Sequence, residues 1–148
     1  AIAWAAALNV YGITGWRLPS TVDDISSNGR KPPASSSEMA HMYYVTLGNI
    51  GEPDPGFGLS NTANFVNMAS WLYWSGTAST LGDTGCCTWY FWTGNGEQGP
   101  IPNGWLGGAD FAVAVHDGDV LAVPEPQTLA LMLAGLAALA TWRGRRPR

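Results

Sequence analysis

Between Pro126 and Trp142 lie seventeen residues without a charge, followed at once by Arg143, Arg145, Arg146 and Arg148. No other feature constrains the chain as strongly, because a helix with no polar face does not belong on the surface of a soluble domain. The centre of the run, Leu129 to Ala140, is made of strong helix formers. Seventeen helical residues span roughly 25 Å, the short limit for crossing a bilayer. The positive-inside bias would hold the arginines on the cytoplasmic side and turn the preceding domain outward. A buried C-terminal core helix is the plainer alternative, but the arginine cluster would then lack partners. A tail anchor without processing is the other, and composition does not separate it from a sorting signal.

Charge separates the two parts of the chain. Residues 1–123 carry three cations against ten carboxylates, a net of −7, whereas residues 124–148 carry four arginines against Glu125. An acidic body with no basic stripe excludes a nucleic-acid partner. Only 12% of the residues are charged, while the chain holds 19 Gly, 10 Pro and 8 Trp. Such a composition predicts short strands and many turns rather than a helical bundle. The sequence begins at Ala1 with no secretory signal, so a processed or N-terminally incomplete form is expected.

Directly before the apolar run stands Val123-Pro124-Glu125-Pro126. Together with the short apolar helix and the terminal Arg-x-Arg-Arg, this order resembles the PEP-CTERM sorting signal of Gram-negative bacteria. The resemblance implies recognition by exosortase, a membrane protease-transpeptidase, with Pro124, Glu125 and Pro126 as substrate motif. It also implies an association with exopolysaccharide and biofilm. The chain would be the substrate of sorting, passing through an inner-membrane intermediate to the cell surface or extracellular matrix.

In the body, residues 1–11 read as the end of an amphipathic helix that stops at Gly12. Residues 20–37 are polar and read as a loop. Ser35-x-x-Glu38 reads as a capping box opening a second helix, with Met39, Met42, Tyr43 and Leu47 on one face and Gly48 as its stop. Residues 51–61 read as a loop, and 65–75 as an aromatic strand ended by Gly76. A turn at Gly82 to Gly85 leads to a strand over Cys86–Thr93. Gly94-Asn95-Gly96 is a strong turn signal. Residues 97–108, with four Gly and two Pro, read as a loop. Phe111–Val115 is a final strand, closed by a turn at His116 to Asp119.

The order Gly15-Trp-Arg-Leu-Pro19, Tyr73-Trp-Ser-Gly-Thr77, Trp89-Tyr-Phe91 and Ala112–Val115, with Ser37–His41 between, resembles the Lcl C-terminal-like domain. The resemblance implies an α+β, C-type-lectin-like fold. Two helices would pack on small antiparallel sheets with long irregular loops, followed by a C-terminal hydrophobic helix. The implied division is a domain over 1–119, a linker over 120–127, and a transmembrane helix with basic tail over 128–148. His116 departs from the family, which often has Arg there, and the strand expected before Trp4 is missing.

Aromatic planes match the C–H faces of sugars, but alternating aromatics on a strand more often build a core. Alternation puts Trp89 and Phe91 on one face, expected to be buried, and Tyr90 and Trp92 on the other. Trp92 and Trp105, beside Gly-rich loops, with Asn95 and Glu97, are the candidate ligand-binding residues. Calcium requires six to eight converging oxygens. Glu52-Pro53-Asp54 falls too early for a lectin motif, and Asp117 and Asp119 read as turn residues, so no calcium site is expected. Glu38 and His41, at i and i+3, read as a capping residue and a surface histidine rather than a metal pair. Adjacent Cys86 and Cys87 read most plainly as free thiols. A vicinal bridge is the strained alternative, because disulfides usually separate Cα atoms by at least ~4.4 Å, and an intermolecular bridge is the other. No catalytic constellation and no cofactor motif stands out, so the domain reads as non-enzymatic. It would bind polysaccharide or, alternatively, make structural protein–protein contacts without a glycan site.

Overall fold

The computed structural model describes residues 1–81, 87–102 and 110–118, with Leu131, Met132, Ala134 and Leu136. The chain divides into two compact units, Ala1–Asp117 and Gly118–Arg148. In the first unit the elements are α1 (Ile2–Ala6), β1 (Gly29–Arg30), α2 (Glu38–His41), β2 (Leu72–Ser79), β3 (Cys87–Trp92) and β4 (Glu97–Pro102). Helix α2 widens into a π-helical segment over Met42–Thr46. The strands form one antiparallel sheet in the order β1-β4-β3-β2.

Strand β3 sets the two faces. Cys87, Trp89 and Phe91 are buried, while Thr88, Tyr90 and Trp92 are half-buried, the period-2 pattern expected from the sequence. Register continues the faces across the sheet. Phe91 stands between Tyr73 of β2 and Gln98 of β4 on the core side, and Trp92 between Leu72 and Glu97 on the other. Met39, Ala40 and Tyr43 of the helix pack with Tyr73 and Phe91 into the main core cluster. The Tyr43 and Phe91 rings are tilted at 5.3 Å. Helical spacing thus buries Met39, Tyr43 and Leu47 together, as the sequence predicts.

Gln98 is fully buried and fully bonded. Its Oε1 accepts from the Ser37 hydroxyl at 2.7 Å, and its Nε2 donates to the Ser27 carbonyl at 2.7 Å and to Ser36 Oγ at 2.8 Å. Asp23 fastens the same segment to the β2–β3 edge of the sheet. It accepts from Trp89 Nε1 at 2.7 Å, from the Ser79 hydroxyl at 3.2 Å, and from the Thr80 amide at 2.9 Å.

Several expectations need correction. The first helix ends at Ala6, and Val10 and Ile13 form a small bridge around Gly12. The cap of α2 is Ser37, not Ser35. Residues Ala34–Ser36 are already a 3-10 turn, whereas extended Ser37 accepts from the Ala40 amide at 2.9 Å. Glu38 turns away to Arg17, at 2.6 Å and 2.9 Å from Nη1 and Nη2, and accepts from the Ser20 amide at 2.7 Å. Residues 20–37 are not wholly loop, because Gly29 and Arg30 pair with β4.

Residues 97–102 are a strand despite their two prolines. Strand β1 reaches only Glu97 and Gln98, so Pro100 and Pro102 sit where β4 has no second partner needing an N–H. Strand β2 starts at Leu72 and runs through Gly76, with a register shift between Trp74 and Ala78. There the Gly76 amide donates to the Pro19 carbonyl at 2.8 Å, and a Cβ on Gly76 would meet Leu18 at 3.4 Å. Gly15–Pro19 therefore docks on this irregularity. Phe111–Val115 forms no continuous strand. Phe111 bridges Tyr73 in parallel and Val115 bridges Arg17 in antiparallel, so its pairing is split between two neighbours.

In the second unit, Leu131, Met132, Ala134 and Leu136 are helical and Leu131, Met132 and Leu136 are exposed. Among the described residues no helix is long and apolar enough to cross a membrane. Most of the expected 128–148 segment, the 120–127 linker, and the turn at Gly82 to Gly85 lie outside the described residues.

Two expected outcomes follow. Ser37→Ala should cost about 1–2 kcal/mol through the lost cap and the orphaned Gln98 oxygen, while Ser35→Ala should stay within about 0.5 kcal/mol; urea titration compares them. Hydrogen bonds from Thr80 and Trp89 lower the Asp23 carboxyl from 3.8 to about 2, and Arg17 lowers Glu38 from 4.5 to about 2. Both titrate lower folded than unfolded, so their stability is present above the ordinary carboxylate range and is lost as pH falls through about 2. The denaturation midpoint should drop over that window, and more shallowly in Glu38→Gln.

Candidate binding face at the β3–β4 hairpin

The turn after β3 is built as its Gly-Asn-Gly sequence predicts. The amide of Gly96 donates to the Trp92 carbonyl at 2.8 Å, and Gly96 takes a φ of +76°. Asn95 Oδ1 accepts from the Glu97 amide at 2.9 Å and locks the turn into β4. Gly94 gives room to an aromatic ring, since a Cβ there would stand 2.6 Å from Trp92 Nε1 and 3.0 Å from Ser70 Oγ. The Trp92 ring therefore folds back over its own turn. It meets Trp71 edge-on, with centroids 6.2 Å apart at 67°.

Trp71 is placed by the end of the neighbouring strand. Buried Thr93 donates its hydroxyl to the Ala69 carbonyl at 2.7 Å and accepts from the Trp71 amide at 3.1 Å. The Trp71 side of this pair is open, with the residue 45% exposed. Asp110 lies beside it. Burial raises the Asp110 carboxyl above its ordinary value, and the neighbouring Trp71 only partly offsets this.

A polar cluster flanks the pair. In the register across the sheet, Arg30 faces Glu97, which faces Trp92. Arg30 Nη1 lies 2.9 Å from Glu52 Oε1, and Arg30 Nε lies 4.0 Å from Glu97 Oε2. Asn95 Nδ2 donates to Glu97 Oε2 at 3.2 Å, and Tyr90 donates to Glu97 Oε1 at 3.0 Å. Burial, reinforced by the Glu97 charge, pushes the Tyr90 phenol up, so it remains a donor.

Glu52 arrives from the 51–61 loop because two glycines let the loop approach the hairpin. Its amide donates to the Asn95 carbonyl at 2.8 Å. A side chain on Gly51 or Gly96 would collide with the Tyr44 hydroxyl, which donates to the Gly96 carbonyl at 2.6 Å.

Of the expected site residues, the structure brings Trp92, Asn95 and Glu97 to one end of the sheet. Trp105 lies outside the described residues. Sequence reasoning counted Trp71 and Tyr90 among the aromatics able to stack on a sugar but did not choose them for the site, and it missed Asp110, Arg30 and Glu52 there. Glu52 could not be placed because its approach depends on the Tyr44 contact. Tyr90 shared Trp92's strand face in the sequence pattern but carried no sign of its carboxylate partner.

The other candidates resolve differently. Glu38 is taken by Arg17 and Ser20. Asp117 pairs with Arg17, and Asp119 lies outside the described residues. Cys87 is disulfide-bonded, which corrects the free-thiol reading. The sequence has one other cysteine, Cys86, outside the described residues. Among the described residues no group of three or more His, Cys, Asp or Glu could hold a metal ion. His116 stands edge-on to Trp16 at 5.4 Å, with Nε2 3.1 Å from the Thr14 carbonyl oxygen.

Residues 122–146 match the PEP-CTERM protein-sorting motif. They contain Val123, Pro124, Glu125 and Pro126 and also Arg143, Arg145 and Arg146, with Arg148 just beyond; all of these lie outside the described residues. The motif marks an exosortase substrate that is exported to the cell surface. No curated protein and no solved structure matches the chain.

The hairpin geometry makes a direct prediction. Gly94→Ala should displace the Trp92 indole and alter the near-UV circular dichroism of the Trp71–Trp92 pair. Overpacking at this site should cost about 1–3 kcal/mol. An unchanged aromatic signal would show that Trp92 does not lie over the turn.

Proposed function

We propose that the chain is an exosortase-sorted surface or matrix protein whose N-terminal domain is a non-enzymatic, polysaccharide-binding module. The observation that carries this reading is the pairing of an exposed Trp71 with Trp92 beside the polar group Arg30, Glu52, Asn95 and Glu97. An indole plane covers the apolar face of a sugar ring, while carboxylates, an amide and a guanidinium bond its hydroxyls. The α+β architecture and the order of the Gly-Trp-Arg-Leu-Pro, Tyr-Trp-Ser-Gly-Thr and Trp-Tyr-Phe motifs support an Lcl C-terminal-like, C-type-lectin-like assignment. The apolar segment before Arg143 would hold the inner-membrane intermediate, with the arginines at the cytoplasmic side. The Pro124-Glu125-Pro126 motif would then be read by exosortase before release to the surface or matrix.

Two measurements test this. In a pull-down with exopolysaccharide, the full chain should be retained, and Trp92→Ala should weaken binding roughly tenfold, the equivalent of about 1.4 kcal/mol. Absence of retention, or no effect of that change, removes the polysaccharide role and leaves a domain that contacts other proteins. Mass spectrometry of the surface form should find a C-terminus lacking Arg148. A surface form that retains Arg148 contradicts cleavage.

A further inference from the structure

We infer that the polysaccharide accepted by the hairpin face carries free amino groups, as in a de-N-acetylated hexosamine polymer, and is not a polyuronate. This inference rests on the polysaccharide-binding reading above and specifies its ligand. It starts from a complete account of the cations in residues 1–117, which hold Arg17, Arg30 and Lys31 against nine carboxylates, a net of −6. Each of the three is already engaged. Arg17 pairs with Glu38 and Asp117, Arg30 with Glu52 and Glu97, and Lys31 with Asp54. A polyanionic glycan would have to displace a carboxylate from its guanidinium or ammonium partner, and would do so against the field of the whole domain.

The hairpin face has the same bias locally. Arg30 is outnumbered by Glu52 and Glu97, whose side chains keep 27% of their surface open. On the aromatic side, the buried Asp110 Oδ1 has no hydrogen-bond partner among the described residues. A protonated amine placed against the exposed Trp71 plane gains a cation–π attraction and lies near that carboxylate. A neutral N-acetylated sugar makes the same stacking contact but gains nothing from the surplus negative charge. The amine therefore uses both the aromatic plane and the surplus carboxylates, the neutral sugar uses only the plane, and the uronate is opposed by the charge.

The test uses the full chain in uncharged detergent micelles, titrated calorimetrically with three oligosaccharides of equal length. These are a de-N-acetylated glucosamine oligomer, its fully N-acetylated counterpart and an oligouronate, at a pH where the amines are protonated. The amine oligomer should bind at least roughly tenfold more tightly than the N-acetylated one. That preference should shrink in high salt and in Asp110→Asn. The oligouronate should not bind. Equal affinity for the amine and N-acetylated oligomers, both lost in Trp92→Ala, overturns the amine inference and leaves the polysaccharide reading standing. Tightest binding of the oligouronate does the same. Silence from all three, together with no retention on exopolysaccharide, overturns both.

Discussion

The buried side chain of Gln98 is the interaction on which the arrangement of the domain depends. A primary amide taken out of water must satisfy its donors and acceptor, or it costs more than an apolar residue in its place. Gln98 meets this demand with the Ser37 cap of α2, the Ser36 hydroxyl and the Ser27 carbonyl. Two stretches of chain, at Ser27 and at Ser36–Ser37, are thereby held at one point on β4. The helix N-terminus is registered against the sheet, and the polar segment before it is drawn in far enough for Gly29 and Arg30 to become the edge strand.

The division of labour between the sheet faces follows from this anchoring. With α2 fixed over the core side, Trp89, Phe91 and Tyr73 are buried, and Tyr43 completes the aromatic packing. The opposite side keeps residues that are aromatic but only half-covered, with Arg30 carried into line with Glu97 and Trp92. The candidate face is thus a by-product of the same register that builds the core. Moving β4 by one residue would bury Glu97 and expose Gln98. The side chains that define the face are also well supported from behind, by Thr93 under Trp71 and by Asn95 within the turn. Such support limits the ordering that ligand binding would require.

The two ends of the chain obey different constraints. Residues 1–117 bury aromatic surface through a small sheet with long connections, and their few cations are consumed by carboxylates. The C-terminal residues carry the remaining positive charge beside an apolar stretch, and residues 122–146 match a sorting motif. Export fits a charge-poor, tryptophan-rich domain whose cysteine at position 87 is oxidised.

Local chemistry made several features legible in the amino-acid order. Period-2 burial of Trp89 and Phe91, the turn at Gly94–Gly96, the buried helical row Met39, Tyr43 and Leu47, and the sorting motif depend on neighbours within a few residues. Trp92, Asn95 and Glu97 were legible as neighbours for the same reason, since they flank one turn. What the order did not reveal are pairings that close over long stretches. These are Ser37 with Gln98, Asp23 with Trp89, Gly29 and Arg30 with Gln98 and Glu97, and the arrival of Glu52 beside Asn95; the prolines of Glu97–Pro102 hid its pairing with β3 for a local reason. A capping serine or a proline in a strand has the same local character wherever its partner lies. The sequence alone thus determined the period, the turns and the sorted tail. Only the tertiary structure decided which polar groups meet, because a buried hydrogen bond is specified by where two distant segments are held and not by either segment alone.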